Sequence, residues 1–154
     1  MYTREEASRI REEFWTSFGK YLAPHQSIFG TKVNWVNYKT GVKDIYFRMQ
    51  ADKRTASICI AITHADLGLQ ELFFEQFQEF KLLLEQACKE EWDWQQHTQD
   101  DYGRTISRIG LEINQVNVFN KQDWPAIISF FKPRIIALDD FWYDVKDNFV
   151  ELSR

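Results

Sequence analysis

Cysteine is scarce in this sequence of 154 residues, which contains only two, Cys59 and Cys88. The two show no CxxC spacing, and they fall in a predicted strand and a predicted helix, so the sequence gives no sign of a disulfide framework. We predict that both are buried free thiols.

Long apolar runs are also absent, because no segment approaches the ~20 residues that a membrane-spanning helix needs. The opening segment, MYTREEASRIREEF, has the charge and spacing of an amphipathic helix rather than of a secretory signal. The sequence therefore predicts a cytoplasmic protein without a membrane partner.

The nucleotide-binding motifs GxGxxG and GxxxxGKS/T do not occur, and no Ser, Cys or Thr has an elbow motif or a recognisable base partner. Residues 39–41, Lys-Thr-Gly, resemble a phosphate-binding loop in composition only, because the upstream glycine and the following helix are missing. We expect a tight hairpin turn there, and we predict neither a cofactor nor a catalytic residue.

Aromatic residues, by contrast, are abundant, and they make up 16% of the chain. A domain of this length buries roughly 70% of the surface of its unfolded chain, so we expect one core built largely from these rings. No repeat, low-complexity segment or linker divides the sequence, which predicts a single domain over residues 1–154. Some aromatic side chains should reach the surface and support self-association. The tryptophans that could line a pocket, but are more typical of a core or a subunit interface, are Trp15, Trp35, Trp92, Trp94 and Trp142.

Hydrophobic periodicity predicts an α+β fold in the order α-β-β-β-α-β-β-α, with a mainly antiparallel five-stranded sheet packed with three helices. A capping box of Thr3 and Glu6 starts the first helix, and period-two patterns predict strands in KVNWV, DIYFRMQ and ASICIAIT. The third strand has small residues at 57, 59 and 61 on one face, so we expect it to be covered on both sides.

The second half of the chain begins with Asp66, which can cap a helix whose apolar stripe continues to Ala87. A strand through the tryptophans at 92 and 94, a turn in QHTQDDYG and a strand in RTISRIGLEI follow. The last helix should begin at Asn120 or Asp123, and Pro133 predicts a kink or a two-part helix.

The first part of this order is distantly like the restriction-endonuclease-like core, α-β-β-β-α-β, which needs an acid on its second strand and Glu-x-Lys on its third. Asp44 or Asp52 could supply the first acid, but Ala61 and Thr63 stand where the other acid and the lysine are required. The Glu-x-Lys triplet at 79–81 lies in a predicted helix, where side chains two residues apart diverge. We therefore predict no metal site.

A family resemblance is carried by KVNWVNYKTGVKDIYFRMQADKRTASICIAITH and NKQDWPAIISFFKPRIIALDDFW. These segments resemble a bacterial family of domains of unknown function, and the similarity extends over nearly the whole chain. Members occur alone or C-terminal to nuclease-like domains, so the resemblance implies a nucleic-acid-related or phage-defence context. It implies no reaction, and relatives often carry an acid where this chain has Ala61.

Two histidines stand close to acids. His64 and Asp66 follow the third predicted strand, where they could bind a metal or move a proton, and His97 precedes Asp100 and Asp101 in a predicted turn. No third ligand follows at a characteristic spacing, so a capping Asp beside a surface His is the plainer interpretation of the first pair. Acids in a turn are expected to bond to their own backbone.

Charge is unevenly distributed in this chain, whose formal net charge is -4. Between residues 31 and 55 six basic residues stand against two acidic ones, a local excess of +4. Phosphates could meet this hairpin region while Tyr38 and Tyr46 offer faces for stacking. The candidates for weak nucleic-acid binding are therefore Lys39, Lys43, Arg48, Lys53 and Arg54, and the alternative is an ordinary solvated face, because solvated strand and turn positions use the same residue types.

These patterns predict a non-catalytic binding or accessory module, with nucleic acid or a second copy as its partner. The alternative is an enzyme on a nuclease-like core with an unrecognised or degenerate site. Such a site would use His64, Asp66 and nearby arginines such as Arg104 and Arg108.

Overall fold

The computed structural model describes residues 2–27 and 30–154, and it has four helices and four strands. In chain order these are α1 (Arg4–Leu22), β1 (Ile45–Ala51), β2 (Thr55–Ile62), α2 (Leu67–Glu79), α3 (Lys81–Cys88), β3 (Asp93–Gln99), β4 (Thr105–Asn114) and α4 (Trp124–Leu152), with a short 3-10 helix at Lys121–Asp123. The α+β class is confirmed. The predicted five strands and three helices were wrong in number, and only two strands precede α2, so the order compared with nucleases is not observed.

The strands form one antiparallel sheet in the order β1-β2-β4-β3, so two hairpins lie side by side. The register places Phe47 opposite Ile60, which is in turn opposite Ile109. Because successive side chains in a strand point to opposite faces, these residues define one face of the sheet, and their neighbours in sequence define the other.

All four helices lie within or next to one core, which covers the face of Phe47. Trp142 of α4 meets the Phe47 ring at 5.4 Å between centroids, and Phe74 of α2 meets Trp94 of β3 at 5.7 Å. Phe131 of α4 joins α1 to this core through the Trp15 ring, at 5.5 Å. No helix in the described ranges is long and apolar enough to cross a membrane.

The segment KVNWV, predicted as a strand, does not join the sheet. Trp35 is buried there and donates from its indole nitrogen to the carbonyl of His25 at 3.1 Å. The alternation of Val33 and Trp35 therefore reflects two side chains that pack inward from an irregular segment. Two apolar residues at period two are too few to specify a ladder.

The helix predicted from Asp66 to Ala87 is divided into α2 and α3 at Phe80, whose φ and ψ are -99° and 13°. Its apolar stripe crosses the break, because Phe77 and Leu84 are both buried. Periodicity reports which side of a helix is buried, and it carries no information on whether the backbone is continuous.

Three further predictions concern helix and strand ends. The caps are confirmed, because Thr3 accepts from the amide of Glu6 at 3.1 Å and Asp66 accepts from the amide of Gly68 at 2.9 Å.

Helix α4 is continuous through Pro133, so the prediction of a two-part helix was wrong. Pro133 is exposed, and water can therefore bond to the carbonyl that lacks its amide. Of the turn predicted at 96–103, residues 96–99 belong to β3, which has a register shift between Gln95 and Thr98, and the chain turns at 100–103.

Candidate functional site

The second face of the sheet, which we call the open face, is turned to solvent. It consists of alternate residues of all four strands: Tyr46, Arg48 and Gln50 of β1; Ser57, Cys59 and Ala61 of β2; Arg108, Gly110 and Glu112 of β4; and Asp93 and Gln95 of β3. Tyr46 is 44% exposed, and Gln50 and Glu112 are exposed as well. The expected central strand is confirmed, since β2 lies between β1 and β4, and Cys59 and Ala61 are buried although the helices of the core lie on the other face.

Small side chains form the floor of the open face. A Cβ added to Gly110 would lie 2.8 Å from the Cβ of Cys59 and 2.8 Å from the carbonyl oxygen of Ile58, so only glycine fits this position. Ala61 is fully buried beside it. Because these central side chains are small, the longer side chains around them can extend over the centre of the sheet.

Two arginines flank this floor. Arg48 lies opposite Cys59, and Arg108 lies opposite Ala61, so their backbones are two strand spacings apart across the sheet and two residues apart along it, about 12 Å. Neither arginine forms an ion pair with a carboxylate in the described ranges. An unpaired guanidinium presents a planar set of donors that fits a carboxylate or phosphate.

Cys59 lies between these arginines and remains an ordinary thiol. Burial raises its pKa, against the opposing effect of the positive charges of Arg108 and Arg48. Both cysteines are free, as predicted, but Cys88 is only half-buried. Burial, and then the charge of Glu90, raise the pKa of Cys88 to about 12. Neither sulfur is therefore activated as a nucleophile.

A polar concavity of about 750 Å³ extends from the centre of the open face over β1. Ser57, Arg108 and Glu112 line it on the sheet, and it continues past Gln50 to Arg11 and Trp15 of α1. Tyr102, in the β3–β4 turn, also lines it and is 83% exposed, and the guanidinium carbon of Arg104 lies 5.7 Å from the centre of its ring. On the other side, the guanidinium carbon of Arg48 lies 4.8 Å from the centre of the Tyr46 ring. Arg48 thus lies against an exposed aromatic ring, and Arg108 shares the lining of the concavity with a second one.

Of the predicted nucleic-acid-binding residues, only Arg48 lies on the open face. Lys53 and Arg54 are exposed in the turn after β1, and Lys39 and Lys43 are exposed before it. The seven residues of β1 separate these pairs by about 20 Å. The structure therefore arranges the five residues along one edge strand instead of gathering them in one patch.

Tyr38 is not an exposed ring for stacking on bases. It is half-buried, its ring stacks on Phe47, and its hydroxyl bonds to Asp139. The sequence-based site also missed Tyr102 and placed Arg108 only in the enzymatic alternative. The alternation in RTISRIGLEI could have assigned Arg108 to the face opposite Ile109, but it could not place Tyr102 beside it.

The residues of the enzymatic alternative are scattered. His64 is buried, where a surface histidine was predicted, and its ring stacks on Phe73 at 4.3 Å. Asp66 is engaged as the cap of α2, and Arg104 pairs with Asp100 at 3.3 Å inside the β3–β4 turn. Within residues 2–27 and 30–154, no three His, Cys, Asp or Glu side chains are grouped so that they could hold a metal ion.

Asp44 and Asp52, the two candidates for the first nuclease acid, lie at opposite ends of β1. Asp44 precedes β1, and the carboxylate of Asp52 follows it and pairs with Arg11 at 3.3 Å. Thr63 donates to the carbonyl of Asp44, so it supports the end of the hairpin. These residues act as structural elements of the β1–β2 hairpin.

The tryptophans belong to the core. Three of the five named above are buried and two are half-buried against the core, so they form no aromatic surface. The exposed large hydrophobic side chains of the described residues are tyrosines and leucines.

Comparison with protein families matches residues 10–146 to a model described as a domain of unknown function (DUF4268). No curated protein and no solved structure matches the chain. The matched segment contains all four strands, so the whole open face lies within it.

Proposed function

This chain belongs to the family of domains of unknown function DUF4268, and we propose that it is a non-catalytic accessory module that holds single-stranded nucleic acid on its open face. One observation carries the proposal: within the described residues, Arg48 and Arg108 have no carboxylate partner on a solvent-facing sheet, Tyr46 lies against Arg48, and Tyr102 lines the same concavity as Arg108. Guanidinium groups bind phosphate oxygens in pairs, and tyrosine faces stack on bases.

A single strand suits this face better than a duplex does. Unpaired bases can reach the rings of Tyr46 and Tyr102, whereas paired bases are already stacked. The face offers only two central cations, and Glu112 and Asp93 stand at its margins. A protein of net charge -4 with so few phosphate contacts should bind weakly and should lose affinity in salt.

The exposed basic residues at the two ends of β1 extend the positive surface along the strand. Lys53 and Arg54 stand at one end, and Lys39 and Lys43 stand at the other. A bound strand that runs along β1 would meet Arg48 at the middle of this row. The predicted hairpin residues thus become secondary phosphate contacts around the two arginines.

The test is fluorescence anisotropy with a labelled single strand of about 12 nucleotides, as DNA and as RNA, and with the matching duplex. Arg48→Ala and Arg108→Ala should each weaken binding of the single strand about tenfold, the value of one charge-assisted contact. Arg9→Ala is the matched control, since Arg9 is an exposed arginine of α1. Equal losses in all three variants, or tighter binding of the duplex, would reject the proposal.

A further inference from the structure

One edge of the sheet has unpaired main-chain groups. Strand β1 pairs with β2 on one side only. Asp52 and Thr63 donate their amides to the carbonyls of Thr55 and Asp44, which shows that even-numbered residues of β1 bond to β2. The N–H and C=O groups of Phe47 and Met49 therefore point to the free edge, where no described residue bonds to them.

The free edge is accessible only over part of β1. At its beginning, Ile45 donates its amide to the carbonyl of Val42 and accepts from the hydroxyl of Thr40 at 2.7 Å. The turn before β1 therefore satisfies the main chain of its first residue. The accessible part comprises residues 47–51, enough for an added strand of about five residues.

A groove runs along this accessible part. A cavity of about 390 Å³ lies between residues 46–50 and residues 36–39, and a neighbouring one of about 560 Å³ lies between Met49 and α1. Met49 also lines the concavity that reaches the open face. Val36 and Trp15 give the groove an apolar wall on the core side.

We propose that the free edge of β1 is a docking site for an extended acidic segment of a partner protein, which adds to the sheet as a fifth strand. The main-chain groups of Phe47 and Met49 would supply the hydrogen bonds of the new ladder. This proposal rests on the backbone and the groove, and it does not depend on Arg108 or on nucleic-acid binding.

The chemistry of the segment follows from the two faces of an added strand. Side chains on the core side would meet Met49, Val36 and Trp15, so they should be apolar. Side chains on the open side would lie beside Arg48, which pairs with no carboxylate of the described residues, and near Lys39 in the same cavity. A segment that alternates apolar and acidic residues satisfies both faces.

A second copy of this chain fits the edge less well than such a segment. Pairing two β1 strands would bring together two hairpins that each carry an excess of basic residues between positions 31 and 55. Like charges that face each other across strands are destabilising. Of the acids near the groove, Asp52 is already paired with Arg11, and Glu12 lies on the α1 wall.

The probe is a labelled peptide of about seven residues that alternates valine and glutamate, and its control has lysine in place of glutamate. The acidic peptide should bind at least about tenfold tighter than the control. Binding should also slow hydrogen exchange at the amides of residues 47 and 49. Equal affinities, or slower exchange only elsewhere, would overturn the proposal.

Two substitutions address the edge directly. Met49→Pro removes an amide that points to the free edge and leaves the bonds to β2 intact, a change that edge strands accommodate. Thr16→Trp fills the groove from an exposed position of α1, and Ser8→Trp places the same side chain at an exposed position of α1 that lines none of the cavities along β1. The first two variants should lose about tenfold in peptide affinity, and Ser8→Trp should bind as the wild type does.

The outcomes can be distinguished from those of the nucleic-acid proposal. Arg108→Ala should leave peptide binding unchanged, whatever it does to nucleic acid. If circular dichroism shows that Met49→Pro is unfolded, Thr16→Trp decides. Hydrogen exchange without peptide tests for self-pairing. If the amides of residues 47 and 49 exchange more slowly as the protein concentration rises, the occupant is a second copy and the acidic partner is rejected.

Discussion

The hydroxyl of Tyr38 donates a hydrogen bond of 2.5 Å to the carboxylate of Asp139, which lies 101 residues further along the chain. Asp139 is buried in α4, and the Tyr38 ring stacks on Phe47 of β1 at 5.1 Å between centroids. Burial, and then this hydrogen bond, raise the pKa of Tyr38 far above its usual value. The pair therefore joins the irregular segment before β1 to the longest helix.

Tyr38→Phe should destabilise the fold by about 1–3 kcal/mol, because it leaves the buried Asp139 carboxylate without this donor. Urea denaturation measures the change in the free energy of unfolding. Since the half-buried ring stacks on Phe47 and lies off the open face, the same variant should keep its affinity for single-stranded nucleic acid. A wild-type stability, or a large loss of nucleic-acid binding, would contradict this account of Tyr38.

His64 should make the stability depend on pH. Burial lowers its pKa from the ordinary 6.5, against the opposing effect of Asp44 and Asp66. The unfolded chain therefore binds a proton more tightly than the native protein, so stability is complete above about pH 6.5 and decreases below it. The loss is at most about 1.4 kcal/mol per pH unit, because one proton is involved.

The comparison is between the wild type and His64→Leu, by urea denaturation at about pH 7.5 and about pH 5.5. The wild type should lose stability between the higher and the lower pH because His64 takes up a proton on unfolding. The leucine variant should lose less, so its stability relative to the wild type should rise at the lower pH. Parallel pH profiles for the two would show that His64 does not titrate in this range.

Gly110→Ala should destabilise the protein by about 1–3 kcal/mol, because the new Cβ would meet the backbone of Ile58 and the side chain of Cys59 at 2.8 Å. Gly103→Ala is the contrasting variant. It has nothing within 4 Å of its added Cβ and is strained only by its φ of +76°. Thermal unfolding should therefore show a larger loss for Gly110→Ala, and a wild-type melting temperature would refute the close approach of β2 and β4.

Arg108→Ala should change the salt dependence of nucleic-acid binding as well as its strength. Each phosphate contact to a single strand contributes a slope of about -0.7 in a plot of log affinity against log salt. Removal of Arg108 should make the measured slope shallower by about that amount, whereas Arg9→Ala should leave it unchanged. A slope that does not change would place Arg108 outside the bound phosphates.

Features that depend on neighbouring residues were predictable from the sequence. The helix caps at Thr3 and Asp66 are local. Each needs only a side-chain oxygen that accepts a hydrogen bond from a backbone amide two or three residues later. The alternation in β1, β2 and β4 placed their apolar residues on one face, and Arg48 was correctly assigned to a strand. The family resemblance was confirmed over residues 10–146.

Features that depend on which elements meet were not predictable in the same way. The alternation of Val33 and Trp35 looked like a strand, yet Trp35 is held by His25 and leaves the edge of β1 unpaired. The capping pattern around His64 said nothing of Phe73, which buries the imidazole.

By itself, the sequence determined the α+β class, most of the elements and the apolar face of the sheet, because these follow from the spacing of residues within about ten positions. Only the tertiary structure decided that Arg48 and Arg108, sixty positions apart, share the open face, and that Phe47 and Met49 present an edge to which no described residue bonds. The reason is physical: strand order and register are set by side chains and hydrogen bonds that come from distant parts of the chain.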